Sequence, residues 1–190
     1  MIEPDDLAWL VPVRRLTLWA VDVPEGFLGT LPNLDWLDVR GGSGASADFV
    51  IGCERLRYLA INQVRGLSDV SAVGDLVTLE RLDLYGLPKV TALPNLARLR
   101  SLARLELGSL KGLGSIAPAL DAPALEELCL IRVVSMEADD PLRIRDASQI
   151  KAFSWFAEDV PDRVWVPVVQ VVDKPAALAV MPSDWLAERV

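Results

Sequence analysis

The chain has no histidine, so the commonest general base and the commonest metal ligand are both missing. Positive charge is in short supply as well. With 19 basic against 27 acidic residues the net charge is −8, which works against the clustered positive face that nucleic acid or an anionic membrane needs. Long apolar runs are lacking. The most aliphatic stretch, Val164 to Val172, is interrupted by Pro167 and Gln170 and is too short to span a bilayer. The opening Met1-Ile2-Glu3-Pro4-Asp5-Asp6 is acidic where a secretory signal is basic, so the expectation is a soluble, cytoplasmic protein. No Gly-x-x-x-x-Gly-Lys loop occurs, and the glycines between Gly41 and Gly44 lack the lysine and helix that would cradle a phosphate.

What the chain does have is leucine at a fixed interval. Leu56, Leu79, Leu102 and Leu125 stand 23 residues apart, and each opens a copy of one apolar pattern. The clearest copy runs Leu79, Leu82, Leu84, Leu87, Val90, Leu93, Leu96 and Leu99. Self-similarity at such a period marks a solenoid, whose units bury their apolar faces against one another. Extending the pattern in both directions gives seven units, opened by Val13, Leu34, Leu56, Leu79, Leu102, Leu125 and Ile150. The whole chain reads as one domain: residues 1–12 as an N-terminal cap, 13–156 as seven repeats and 157–190 as a C-terminal cap. The N-terminal cap is expected to be a short helix. Three irregular places stand out. Arg40 to Ser46 lacks the usual aliphatic residues and predicts a distorted, mobile connection. Glu137 to Pro141 predicts a bulging acidic loop, and Val164 to Val172 predicts one or two β segments broken at Pro167.

Leu-x-x-Leu-x-Leu recurring every 22 to 25 residues resembles the leucine-rich repeat proteins, over about residues 13–156. That resemblance implies an α/β repeat solenoid, a right-handed curved coil with a parallel β-sheet on its concave face and irregular or short helical segments on its convex face. The family's usual signature continues to an asparagine or cysteine three residues after the hexapeptide. Here those places hold Val21, Gly42, Val64, Leu87, Leu110 and Val133. The side-chain amide ladder is therefore missing, and backbone groups at that turn have to be satisfied by neighbouring main chain or by water.

Strand alternation sends the fourth and sixth residues of each unit inward and the third, fifth and seventh outward. The outward columns carry Trp19, Trp36, Tyr58 and Tyr85 on four successive strands. Around them stand Asp38, Arg40, Asn62, Arg81, Asp83, Arg104 and Glu106. Trp, Tyr and Arg are the residue types that dominate interface hot spots, so these eleven residues form the expected partner-binding face. The competing reading is that the rings merely stack on one another and cover the sheet.

The function these residues imply is protein binding through the concave face by a chain that is monomeric when free. A narrower alternative is an immunity or inhibitor protein that blocks a partner enzyme, since an acidic surface speeds encounter with a basic one. A carboxylate-based enzyme is the alternative of another class. It is disfavoured because histidine is absent and because Glu106, Glu126 and Glu127 would raise rather than lower the pKa of a Cys129 nucleophile, while Arg81 and Arg104 would repel a cation gathered by Asp38, Asp83 and Glu106. No cofactor, metal, nucleic acid or membrane is expected. Cys53 and Cys129 fall in the second and sixth units, strands that would hold them roughly 14 Å or more apart, so both should be free thiols.

Overall fold

An extended hexapeptide with two aliphatic side chains on one side has to cover that side, and here the next repeat supplies the cover. The structure is a computed structural model that describes residues 7–189. A single turn of helix α1(Leu7–Leu10) leads into strand β1(Arg15–Trp19), and β2(Trp36–Arg40), β3(Tyr58–Asn62) and β4(Arg81–Tyr85) come after it. Next come β5(Arg104–Leu110), β6(Glu127–Val134), helix α2(Asp140–Asp146), β7(Ala152–Phe156), and helices α3(Asp162–Val172) and α4(Pro182–Ala187). Residues 1–6, half of the expected N-terminal cap, lie outside the described residues; Leu10 of α1 is buried in the core.

All seven strands form one parallel sheet in sequence order, and like places pair with like: Leu82 with Leu105, Leu84 with Leu107. These four leucines are buried, as the spacing requires, together with the later leucines of each repeat. Between strands the chain returns through short 3-10 turns at Leu28–Thr30, Asp48–Val50, Ser71–Asp75 and Ala117–Asp121. Both cysteines are free and buried, and burial pushes the thiols up, Cys53 to about 11 and Cys129 to about 12.

Main chain replaces the missing amide ladder. Just after each of the first six strand hexapeptides one residue adopts a left-handed backbone: Ala20, Gly41, Gln63, Gly86, Ser109 and Arg132. Four of these turns donate an N–H to the carbonyl of the residue before the turn in the next coil. Ala20 bonds Arg40 at 2.7 Å, and Gly41, Gln63 and Gly86 bond Asn62, Tyr85 and Gly108 at 2.8 Å each. Backbone stacks directly on backbone, so no particular side chain is needed there.

Three local expectations are corrected. The Arg40–Ser46 stretch is not a loose connection but continues the stack: Gly44 donates to Arg65, Arg65 to Gly42 and Ala47 to Asp69. What its missing side chains leave is a cavity of about 340 Å³ beside Leu18, Val39, Phe49 and Val64. The acidic stretch does not bulge either. Asp140 is buried and its carboxylate accepts from Ser115 Oγ and from the Ile116 and Glu137 amides, which fixes the start of α2 against the preceding coil. Finally, Val164 to Val172 is helical, not β. Trp165, Val168, Val169 and Val172 recur at helical spacing and pack on the core, while Pro167 faces solvent, so burial of one face overrides the β preference of valine. Among the described residues no helix is long and apolar enough to cross a membrane.

Candidate functional site

Parallel strands in register turn each outward place into a column running across the sheet. At the third place stand Arg15, Trp36, Tyr58, Arg81, Arg104 and Glu127. The eleven residues of the expected binding face lie on this one side of the sheet, but they do not share one environment. Tyr58, Arg81 and Arg104 are 3%, 2% and 1% exposed, and Asp38 is buried too. Trp19 is 72% exposed; Arg40 is also exposed, and Asn62 and Tyr85 are half-buried.

The cover comes from the chain itself. After α3 the backbone turns at Asp173, whose φ is 46°, and residues 174–189 run back across the outer face. This strap is held first at the edge strand, where the Phe153 amide donates to Pro175 O and Ser154 Oγ to Ala177 O, both at 2.9 Å. Arg104 then donates to Leu178 O at 2.9 Å and Arg81 to Val180 O at 3.3 Å. Beyond them α4 sets Trp185 and Leu186 into a second apolar cluster with Tyr58, Ala60 and Ala103, flanked by Trp36. The Trp185 indole N–H lies 3.3 Å from both Glu127 oxygens, and Arg189 covers the Trp185 ring and pairs with Glu126.

Beneath the strap the charges form a connected network. Arg81 contacts Asp83 at 3.0 Å and Glu106 at 2.9 Å, and Arg104 contacts Glu106 at 2.7 Å and also pairs with Glu127. Ion pairs that would contribute little on an open surface are here desolvated, and removing one partner would strand the other. The Tyr58 hydroxyl donates to Asp83 at 2.9 Å. Burial, and next the charge of Glu106, pushes the Asp83 carboxyl up to about 6 despite Arg81. Burial likewise raises the Tyr58 phenol far above its ordinary range, with the Asp83 charge adding to it.

The four rings divide. Trp36 and Tyr58 stack with centroids 4.0 Å apart, the cross-strand pairing that the competing reading described. Tyr85 leans over its neighbour: a Cβ on Gly108 would come within 2.3 Å of the Tyr85 ring, so the glycine makes room for it. Of the four, Trp19 alone stands out in solvent. Arg15 sits over the Trp36 ring at 5.1 Å, beside an open cleft of about 450 Å³ lined by Arg14, Arg57, Trp36 and Leu186.

Two features escaped the sequence reading. One is the strap, whose only sequence signal is a Trp-Leu pair beyond the last repeat. The other is an alternating charge ladder one place before the Arg15 column, with ion pairs Arg14–Asp35, Arg57–Glu80 and Lys151–Glu126. That alternation is legible once the repeats are aligned. Glu137, Asp139 and Asp140 bring three carboxylates within 4.8 Å of one another, yet Asp140 is taken up by backbone capping and Asp139 by Arg143.

No family model matches the sequence, and no curated protein does. Among solved structures the chain is similar to the crystal structure of an internalin from Listeria monocytogenes. The two are 15% identical with a TM-score of 0.44, over 94% of this chain and 65% of that one, so the chain spans less than two thirds of the internalin's length. Seven parallel strands in sequence order, paired place for place and returning through short turns, carry the assignment without that likeness: the chain folds as a leucine-rich-repeat solenoid.

Proposed function

We propose that the chain is a protein-binding module whose working surface is the outer face of its sheet. The observation behind this reading is that the face already holds an extended polypeptide, its own strap, by side-chain bonds to carbonyls and by an aromatic socket. The part open to a partner is the strap-free rim of Trp19, Arg40, Asn62 and Tyr85, together with the cleft between Arg15, Trp36 and the strap's Leu186. Rigid strands hold these groups in place, so little ordering entropy opposes binding. Among the charges of this face Asp83 and Glu106 are tied to arginines, which supports binding over catalysis.

The test is photo-crosslinking from the source cell with a probe at Trp19 or at the convex residue Arg100. Crosslinks from Trp19 that are lost on Tyr85→Ala are expected. Crosslinks confined to Arg100 would refute the choice of face. The net charge of −8 favours a basic partner and with it the narrower inhibitor reading. In that case, association slows steeply as salt is raised.

A further inference from the structure

We propose that residues 174–189 are a displaceable occupant of the binding groove, and that the partner's contact segment is a short peptide with an extended run followed by a helical turn that bears an aromatic–aliphatic pair. The inference rests on the proposed binding function and names the chemistry of what binds.

Three observations carry it. First, the strap is recognised mostly through groups that any peptide has. Arg81, Arg104, Ser154 and the Phe153 amide all bond its backbone carbonyls. Along the extended run Leu178 is 73% and Met181 67% exposed, and only the small Ala177 and Val180 side chains turn in, with Lys174 reaching Ala147 O. Side-chain recognition is concentrated in Trp185 and Leu186. A foreign segment with an extended run and such a pair meets the same requirements, as edge- and groove-binding peptides do.

Second, departure of the strap leaves the groove polar but paired. Arg81 keeps Asp83 and Glu106, Arg104 keeps Glu106 and Glu127, and Tyr58 keeps Asp83. Each arginine exchanges a carbonyl for water or for the partner's carbonyl. No buried charge is stranded, so the large penalty for breaking a buried pair does not arise.

Third, the charge of the groove selects a residue that comes after the pair. Glu126 and Glu127 receive Arg189 beside Trp185. A basic residue three places after the aromatic–aliphatic pair is therefore part of the recognised chemistry. Because the strap is tethered through a few residues, its effective concentration is of the order of millimolar, so a partner has to bind tighter than the strap or arrive with further contacts. The exposed rim around Trp19 supplies such contacts.

The experiment uses a fluorescent synthetic peptide of residues 174–189 and the full-length chain carrying W185A and L186A. Saturable binding to this variant is expected, at least about tenfold tighter than to the unaltered chain, with at least about tenfold lost when the peptide's own tryptophan is replaced by alanine. A variant that keeps its far-ultraviolet circular dichroism yet takes no peptide overturns the proposal. Should the variant not fold, hydrogen exchange on the unaltered chain decides. The α4 amides are expected to exchange at least about a hundredfold faster than those of β4 and β5, and faster still with added peptide. Exchange of α4 only together with the strands overturns it. A dimer in light scattering, with straps exchanged between copies, overturns the assignment to a foreign segment. A strap that never opens, alongside specific crosslinking from Trp19, removes this inference and leaves the binding function in place.

Discussion

At the third place of its repeat, Arg15 on β1 is exposed to solvent over the ring of Trp36, while Arg104 at the same place on β5 is 1% exposed and bonds two glutamates and a carbonyl. At the seventh place β1 carries Trp19, which projects, and β5 carries Gly108, over which Tyr85 lies. Both strands send the same places outward, so alternation decides direction equally well in each. What outward leads to is decided elsewhere, by a segment 74 residues further along that bonds Arg104 on β5 and leaves an open cleft beside Arg15 on β1. One sheet thus has a covered half whose polar groups belong to an internal network and an open half where Arg15 and Trp19 stand in solvent and Arg40, though exposed, pairs with Asp38.

The sharpest way to break that comparison is to delete the same charge in both halves. Arg104→Met should cost roughly 3 to 5 kcal/mol in denaturant melts, because Glu127 and Glu106 lose a desolvated partner, whereas Arg15→Met should stay within about 0.5 kcal/mol. Equal costs would mean that the strap does not create the difference. A second contrast uses inward leucines: Leu84→Ala, fully enclosed, should cost roughly 2 to 5 kcal/mol, and Leu16→Ala on the half-covered edge strand less than about 2 kcal/mol. Solvent-like behaviour of Leu84 would overturn the register itself.

The covered half should also respond to pH. Asp83 is raised to about 6 in the folded chain, above its unfolded value, so between about pH 4 and pH 6 the folded state binds more protons. Stability therefore falls as pH rises through that window and levels off above it. Asp83→Asn should flatten the slope, provided that Glu106, Arg81 and Tyr58 around it are unchanged; an unaltered slope would place the titration elsewhere. The smallest expected effect lies at the turns, where Ser109→Gly should raise stability by up to about 1 kcal/mol by relieving a left-handed backbone. A loss of stability there would show that the Ser109 side chain contributes more than its backbone strain costs.

The coil was legible because its signal is local: each leucine repeats at a step that one strand and one turn dictate, and the residues that pair are close in sequence. The absence of the amide ladder even pointed to main-chain stacking, which the turns at Ala20, Gly41, Gln63 and Gly86 carry out. Legibility failed wherever a non-local partner set the outcome. Val164–Val172 reads as β until the surface it packs on is known. Asp140 reads as loop until Ser115 and the Ile116 amide are brought against it. Tyr58, Arg81 and Arg104 read as exposed hot spots because nothing in their own repeats announces Trp185.

The strap also separates the contacts of this fold by loop length. Paired strands join residues 21 to 25 apart, but Trp185 reaches Glu127 across 58 residues and Arg81 reaches Val180 across 99. Closing short loops is fast and closing long ones is slow, so successive coils can dock on their predecessors while the outer face is still bare. Refolding should then show two steps in pulse-labelled exchange: the strand amides protected first and the α4 amides after them. A chain under synthesis makes every covered strand before it makes the segment that covers them, and for that interval the groove is open to whatever peptide is near.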